Sequence, residues 1–126
     1  MLLKYNDPAP TDAMKVRTTD GDLYVFFIED TKGVCRKVML QIGKSGTAVR
    51  AWTDAVMELT NVALDNNVDL ATIAVTLSNI YTDRYVHTGG MNMIKSGPDG
   101  FVYAINKYIR TKFKQATVPF DMPWES

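Results

Sequence analysis

Apolar and polar positions along residues 14–42 form three consecutive runs with the character of strands. An Asp-Gly pair at 20–21 is a strong hairpin-turn sequence, and a Thr-Lys-Gly triplet at 31–33 is a weaker one. The middle run, residues 23–28, is apolar throughout. We therefore expect an antiparallel meander with this run as its central strand. Helices would cover one face of that strand, and another surface, such as a second subunit, would cover the other.

The next two segments repeat apolar residues with the period of an amphipathic helix. The first covers about residues 46–67, and its expected inner face holds Val49, Trp52, Val56, Leu59 and Ala63. The Asn pair at 66–67 ends it, because Asn tolerates left-handed backbone geometry. Asp69 then caps a second helix. The inner face of that helix is expected to hold Leu70, Ile73, Leu77 and Ile80.

A third helix is expected to begin near Pro98, since proline suits the first turn of a helix. Its inner face is expected at Phe101, Ile105 and Ile109. Residues 1–13 and 114–126 contain prolines and are expected to form an irregular arm and an extended tail. The chain thus predicts one α+β domain over residues 1–126, with a core of about 14–113. Its architecture is an antiparallel β-meander with two to three helices packed on one face.

Charge and cysteine content restrict the class of function. Fourteen Lys and Arg residues balance fourteen Asp and Glu residues, which argues against a protein that binds DNA or RNA polymers through charge alone. Cys35 is the only cysteine, so no intramolecular disulfide can form and a reducing compartment is expected. No apolar run is long enough to span a bilayer, and residues 1–10 lack a signal-peptide core. We expect a cytoplasmic protein with no membrane partner.

The sequence also lacks the residue groups that carry catalysis or bind metals. No spacing of His, Cys, Asp and Glu suggests a metal site, and no cofactor is expected. His87 is the only histidine and lies in a polar segment without an evident Ser-Asp or Cys partner, so we expect it to be a loop residue without a catalytic role. Cys35 is expected to pack within a strand. The protein is therefore predicted not to be an enzyme.

The segment Ile-Gly-Lys-Ser-Gly-Thr at 42–47 is similar to part of a phosphate-binding loop. A Walker loop requires glycine five positions before the Gly-Lys pair, and Val38 stands there instead. Two interpretations remain. The segment is either a strand-to-helix turn capped by Ser45 or Thr47, or a turn whose backbone N–H groups and Lys44 hold a phosphate without hydrolysing it.

Other candidate ligand-binding residues lie after the second helix. The Tyr81 ring can stack on a base, Arg84 can pair with phosphate, and Asn92 can read a base edge. The alternative is a surface loop whose tyrosines cover the edge of the core. Arg50 and Asp99 begin the first and third helices. The Asp99 carboxylate can either accept ribose hydroxyls or cap its helix.

Three blocks of the sequence resemble the TSCPD domain. This is the small C-terminal domain of vitamin B12-dependent ribonucleotide reductases, also found alone in phage and bacterial proteins. Residues 18–27 resemble its first hairpin, and residues 38–80 resemble its strand, its Gly-Lys-x-Gly turn and its two helices. Residues 96–109 resemble its naming motif, here Ser-Gly-Pro-Asp, and its last helix. The resemblance covers roughly residues 17–110.

The chain departs from the family pattern at one position of that motif. The cysteine that precedes Pro-Asp in the family is Gly97 here, and no C-terminal cysteine cluster follows. The resemblance therefore implies a stand-alone relative that kept the fold without a thiol relay or metal site.

Three functions remain open. The size and layout are similar to phage counter-defence proteins of the anti-Thoeris sponge type. This likeness implies a homodimer or higher oligomer that sequesters a nucleotide-derived immune signal, a cyclic ADP-ribose isomer or a cyclic oligonucleotide, without cleaving it. The second is an accessory module of nucleotide reduction that binds a nucleotide or a reductase subunit. The third is an enzyme such as a phosphodiesterase, against which the single histidine argues. The expected ligand-binding residues are Lys44, Arg50, Tyr81, Arg84, Asn92 and Asp99.

Overall fold

The computed structural model describes residues 11–43, 47–82, 84–87 and 93–116. Its elements are β1 (Asp12–Thr18), β2 (Gly21–Glu29), β3 (Cys35–Ile42), α1 (Thr47–Asp65), α2 (Leu70–Leu77), β4 (Val86–His87), β5 (Met93–Ile94) and α3 (Gly97–Ala116). The first three strands form an antiparallel sheet with β2 in its centre, and β4 pairs with β5. The α+β meander and its central strand are confirmed.

The turn between β1 and β2 is built by short polar contacts and one glycine. The Thr18 hydroxyl donates to the Gly21 carbonyl at 2.7 Å and accepts from the Asp20 N–H at 3.0 Å. Gly21 has φ 118°, and a Cβ there would lie 2.9 Å from the Gly43 carbonyl oxygen. Only glycine suits this conformation and this close approach. The Gly43 N–H in turn donates to the Asp22 carbonyl at 2.9 Å, which joins the end of β3 to the start of β2.

One face of the sheet carries the core. Strand register places on it the buried side chains Val16, Leu23, Val25, Phe27, Val38 and Leu40. Helix α3 contacts β1 and β2 and adds Phe101 and Ile105 to the same buried cluster. The Phe27 and Tyr108 rings stack with centroids 4.3 Å apart. Helix α3 therefore covers this face, as the sequence predicts.

The opposite face of β2 presents Tyr24, Phe26 and Ile28. Ile28 is 2% exposed, and Met39, paired with Phe26 on this face, is 3% exposed. Tyr24, at 36%, is the more open position. A second subunit is not needed to bury Ile28 and Met39, so this face offers less apolar area than the sequence indicates.

Helix α1 packs against β3 through a face that the sequence did not predict. Met57, Thr60 and Leu64 are buried, whereas Trp52 is 74% exposed and Leu59 is 71% exposed. The inward placement of Trp52 and Leu59 is therefore wrong. The other three residues of that predicted face are half-buried: Val49, Val56 and Ala63.

Asn61 explains this orientation of α1. Its side-chain oxygen accepts from the Val38 N–H at 2.8 Å, and its side-chain NH₂ donates to the Val38 carbonyl at 3.0 Å. The amide thus pairs with the edge of β3 as a further strand would. Four residues earlier, the Met57 sulfur accepts from the Leu40 N–H at 3.4 Å. Helix α1 turns this polar residue toward the sheet because the strand edge needs hydrogen-bond partners.

Helix α2 is shorter than expected. Asp69 caps it by accepting from the Thr72 N–H at 2.9 Å, and hydrogen bonds from Thr72 hold the pKa of Asp69 below its usual value. The helix ends at Leu77, so Ile80 lies beyond it and is 45% exposed. Asn67, at φ 66°, supplies the predicted left-handed residue before the cap.

Helix α3 begins at Gly97 and buries Phe101 and Ile105, while Ile109 is half-buried. Its start near Pro98 and its inner face are thus confirmed. Residues 1–10 and 117–126, which hold most of the predicted arm and tail, lie outside the described residues. Within the described ranges, no helix combines the length and apolar character needed to cross a bilayer.

We predict that Asn61→Ala lowers the free energy of unfolding by about 2–3 kcal/mol, because it removes two hydrogen bonds and leaves polar atoms of buried Val38 without partners. The matched control is Asn66→Ala, since the exposed Asn66 side chain makes one local bond to the Val62 carbonyl. That change should cost about 0.5 kcal/mol or less. Urea unfolding of both variants makes the comparison, and equal losses would contradict the edge-pairing role.

Candidate ligand-binding groove

A groove of about 510 Å³ opens between the start of α1, the segment after α2 and the start of α3. Its walls are mostly apolar and include Leu40, Ile42, Val56, Ile80 and Phe101. Its volume lies within the range of small-molecule sites, which are concave, largely apolar and supplied with a few polar groups. This geometry makes the groove the leading candidate site.

Trp52 provides the exposed aromatic surface of the groove. It lines the wall from α1 and is 74% exposed, whereas Phe101 also lines the groove but is 1% exposed. An indole face in such a position can stack on a flat heterocycle. Sequence reasoning placed Trp52 in the core because a hydrophobic period does not distinguish a core face from a groove wall.

The polar end of the groove is organised by the hydroxyl of Ser96, which is 2% exposed. That hydroxyl donates to the Ile80 carbonyl at 2.6 Å and accepts from the Asp99 N–H at 3.0 Å. Asp20, from the β1–β2 turn, accepts from the Gly97 N–H at 3.2 Å. The start of α3 is thereby joined to a hairpin turn and to the segment after α2. The sequence indicated Asp20 only as a turn residue.

These contacts occupy the N–H groups of the first turn of α3. Gly97 donates to Asp20, Pro98 has no N–H, and Asp99 donates to Ser96. The Gly100 N–H donates to the Ser96 carbonyl at 3.0 Å. A helix start can hold a phosphate through unpaired N–H groups. This one has none within its first turn, so it is not an anion site.

Asp99 forms the other half of the same cap. Its carboxylate accepts from the Lys95 N–H at 2.9 Å, which with the Ser96 contact gives a variant of the capping box. The geometry therefore favours the capping interpretation of Asp99. Its neighbour Pro98 lines the groove, but Asp99 itself does not.

Because Gly97 has no side chain, Asp20 can lie close to the backbone at this end of the groove. A Cβ at position 97 would lie 3.1 Å from a carboxylate oxygen of Asp20. That contact is tight, so with a cysteine in this position the Asp20 carboxylate would have to shift by a few tenths of an ångström. Replacement of the expected cysteine by glycine thus leaves room for the bond between Asp20 and the helix start.

Two of the predicted site residues adjoin the groove along the chain. Arg50 follows the lining residue Val49, and Tyr81 lies between the lining residues Ile80 and Thr82. Both have exposed side chains, and Tyr81 is 70% exposed. Neither lines the groove itself.

Of the remaining predicted residues, Arg84 is the described one, and it does not line the groove. Arg84 is exposed, and its backbone N–H donates to the Thr82 hydroxyl at 3.1 Å. The exposed His87 makes an edge-to-face contact with Tyr85, as expected for a surface segment. Lys44 and Asn92 lie outside the described residues.

A second, more open depression of about 550 Å³ lies between the β2–β3 turn, α2 and α3, but the basic side chains that line it are already paired. Arg36 bonds Asp30 at 3.0 Å, and Lys112 bonds Glu29 at 3.0 Å. Burial raises the pKa of the Cys35 thiol, which disfavours the reactive thiolate. This depression is a weaker candidate than the groove.

A buried polar cluster beside that depression holds α3 on β2. The Glu29 side chain is 6% exposed and accepts hydrogen bonds from the Tyr108 hydroxyl and from Lys112. Burial of Tyr108, together with its bond to Glu29, raises the pKa of this phenol far above its ordinary value. The phenol is therefore neutral in the folded chain at every ordinary pH.

We predict that Tyr108 makes the stability of the fold decrease in alkali. A phenol whose pKa is higher in the folded chain stabilises the fold fully below the unfolded pKa of about 10. That contribution is lost as the pH rises further, because the unfolded chain ionises first. Denaturant unfolding from pH 8 to 11 should show the stability gap between wild type and Tyr108→Phe shrinking above about pH 10. Tyr81→Phe, at an exposed position, is measured alongside as the control, and a constant gap for Tyr108→Phe would contradict the assignment.

We predict that Ser96→Ala lowers the free energy of unfolding by about 2–3 kcal/mol, because the helix cap and the bond to the Ile80 carbonyl are lost together. Ser78→Ala is the matched control, since the exposed Ser78 hydroxyl makes one local bond to the Val75 carbonyl. It should change stability by about 0.5 kcal/mol or less. Thermal and urea unfolding give both values, and a small effect at Ser96 would show that the cap does not hold the groove together.

Comparison with known proteins agrees with this fold. The family model described as the TSCPD domain matches residues 3–109 of the 126-residue chain, which confirms and extends the resemblance seen in the sequence. Neither a curated protein nor a solved structure matches the chain. The match spans both sheets, α1 and α2, and α3 as far as Ile109. The chain belongs to the TSCPD-domain family.

Proposed function

We propose that this protein binds and sequesters a nucleotide-derived small molecule without cleaving it. The ligand class we favour is a cyclic nucleotide-derived immune signal, a cyclic ADP-ribose isomer or a cyclic oligonucleotide, which would make the protein a phage counter-defence sponge of the host cytoplasm. The single observation that carries this proposal is the apolar groove with exposed Trp52 on its wall.

The chemistry of the groove suits a base better than a purely charged ligand. Apolar side chains can cover the faces of a heterocycle, and stacking on Trp52 adds affinity with little dependence on the base. Arg50, exposed in the first turn of α1 next to the lining residue Val49, is the described cation best placed in sequence to pair with a phosphate. A ligand with a base and a phosphate would use both features.

Binding without cleavage is supported by the state of the polar groups at the groove. The Ser96 hydroxyl already donates to a carbonyl and accepts an N–H, so it is not held as an activated nucleophile. His87, which would be the natural base, contacts Tyr85 at the surface. The TSCPD domain is also not a known catalytic domain.

A second candidate function is favoured by the family itself. A relative of a reductase domain can act as an accessory module that binds a nucleotide or a reductase subunit. In that case the groove would hold a cellular nucleotide or a segment of the reductase, and immune signals would bind no better than ordinary nucleotides.

The test is to incubate the purified protein with products of TIR-domain enzymes and of nucleotide cyclases, wash it, heat it and analyse the released molecules by mass spectrometry. Release of an intact cyclic signal is expected. Release of a cleaved product would mean an enzyme. Binding of a reductase subunit or of ordinary nucleotides alone would support the accessory role.

We predict that Trp52→Ala weakens ligand binding by about 1–3 kcal/mol through loss of stacking. Arg50→Ala should weaken it by about 1.5–3 kcal/mol through loss of a charged hydrogen bond. The matched controls are Val75→Ala on α2 and Arg110→Ala on α3, both exposed and outside the groove. Calorimetry should show unchanged affinity for the controls, and unchanged affinity for Trp52→Ala would remove the groove as the site.

A further inference from the structure

Among the described residues that line the groove, Asp20 alone carries a formal charge. It is half-buried, and one of its carboxylate oxygens, Oδ2, accepts from the Gly97 N–H. That bond holds the carboxylate at the end of the groove formed by the start of α3. The other oxygen, Oδ1, accepts no hydrogen bond from the described part of the chain. One charged acceptor is therefore available to a ligand at this end.

The hydroxyl groups that line the groove already donate to backbone carbonyls. Thr53 donates to the Val49 carbonyl at 2.8 Å, and Thr82 donates to the Lys95 carbonyl at 3.0 Å. The Ser96 hydroxyl likewise donates to a carbonyl, as described above. A hydroxyl has one proton to donate, so these three groups act toward a ligand as acceptors.

The backbone donors at the α3 end of the groove are occupied as well. The N–H groups of Gly97, Asp99 and Gly100 each donate within the protein, and Pro98 has none. A further side-chain donor, the indole N–H of Trp52, belongs to the wall formed by α1. The α3 end therefore presents acceptors, and a ligand that binds there has to supply the donor.

We propose that Asp20 makes the groove selective for nucleobases with an exocyclic amino group, such as adenine. This inference rests on the proposed function, because it concerns the ligand of the same groove. The base places its amino edge at the α3 end and donates one N–H to the free oxygen of Asp20. Such a bond to a charged acceptor is among the stronger hydrogen bonds. A base without the amino group would displace water from the carboxylate and leave that oxygen without a donor, which is costly.

The other parts of a nucleotide fit this end of the groove less well. A phosphate carries negative charge and would be repelled by the Asp20 carboxylate. A ribose brings neighbouring hydroxyls that need several polar partners, whereas Ile80, Pro98 and Phe101 give this end an apolar lining. The edge of a flat base, with apolar faces and an amino group, matches an apolar lining with one free acceptor.

Calorimetry of the full chain with two matched nucleotides gives the first test. The probes are adenosine 5′-monophosphate and purine riboside 5′-monophosphate, which lacks only the amino group. We expect the adenine nucleotide to bind roughly tenfold more tightly or better, the effect of a hydrogen bond to a charged group. Equal affinities would overturn the inference and leave the proposed function standing. No binding of either nucleotide at millimolar concentration would also overturn it, and the release experiment with cyclic signals then decides the proposed function by itself.

Asp20→Asn tests whether this carboxylate carries the selectivity. The amide oxygen still accepts from the Gly97 N–H, but a neutral acceptor binds the amino group more weakly, so the two affinities should come within about threefold of each other. The matched control is Asp22→Asn, which makes the same change in the same hairpin at a side chain that pairs with Lys15 and lies outside the groove. It should keep the wild-type ratio, and circular dichroism checks that both variants fold.

The ratio of the two affinities separates selectivity from a general loss of structure, which would weaken both nucleotides alike. A wild-type ratio in Asp20→Asn would overturn the inference. So would a wild-type protein that loses affinity when the ribose 2′-hydroxyl is removed but not when the amino group is removed, because Asp20 would then bind the sugar.

Discussion

The buried hydroxyl of Ser96 joins parts of the molecule that are far apart in the sequence. Its two hydrogen bonds fix the Ile80 carbonyl and the first turn of α3. The N–H of the next residue, Gly97, donates to Asp20 in the β1–β2 turn. At 2% exposure, a lone donor or acceptor here would be costly, but the hydroxyl uses both functions. At the end of the groove formed by these segments, this one side chain satisfies two backbone groups at once.

The two helices that flank the groove are held to the sheet in different ways. Helix α3 is fixed at its start by the Ser96 cap and further along by Glu29, which binds both Tyr108 and Lys112. Helix α1 is fixed along the β3 edge by Asn61, so its opposite side stays open to solvent. An apolar wall that carries an exposed tryptophan is the direct result of this edge packing.

Much of the fold follows from local sequence chemistry, whereas the groove does not. The Asp-Gly turn, the Asp69 cap and the inner face of α3 depend on neighbouring residues and were predictable. The inner face of α1 was not, because this helix has two apolar stripes and the more hydrophobic one is exposed. The choice between them is made by Val38, whose backbone needs the Asn61 amide. The hydrophobic pattern of α1 alone does not reveal this contact with a distant strand.

The residues of the candidate site could likewise be predicted only in part from the sequence. Arg50 and Tyr81 were found from residue type and lie beside the groove in the chain, but Trp52 was assigned to the core and Asp20 to a turn. Asp99 was recognised as a helix-start residue with two possible roles, and its bond to the Lys95 N–H favours the structural one. Lys44 and Asn92 stay predictions, since they lie outside the described residues.

Because the first turn of α3 is completely capped, the two ends of the groove differ in their attraction for an anionic group. The positive end of the α3 dipole faces the carboxylates of Asp20 and Asp99, so its field is compensated before it reaches the groove. An anionic group therefore gains nothing by entering at that end. The favourable orientation for a ligand with an anionic and an uncharged half places the uncharged half against α3 and leaves the anionic half toward α1. The orientation of such a ligand in the groove therefore follows from the way α3 satisfies the backbone N–H groups of its own first turn.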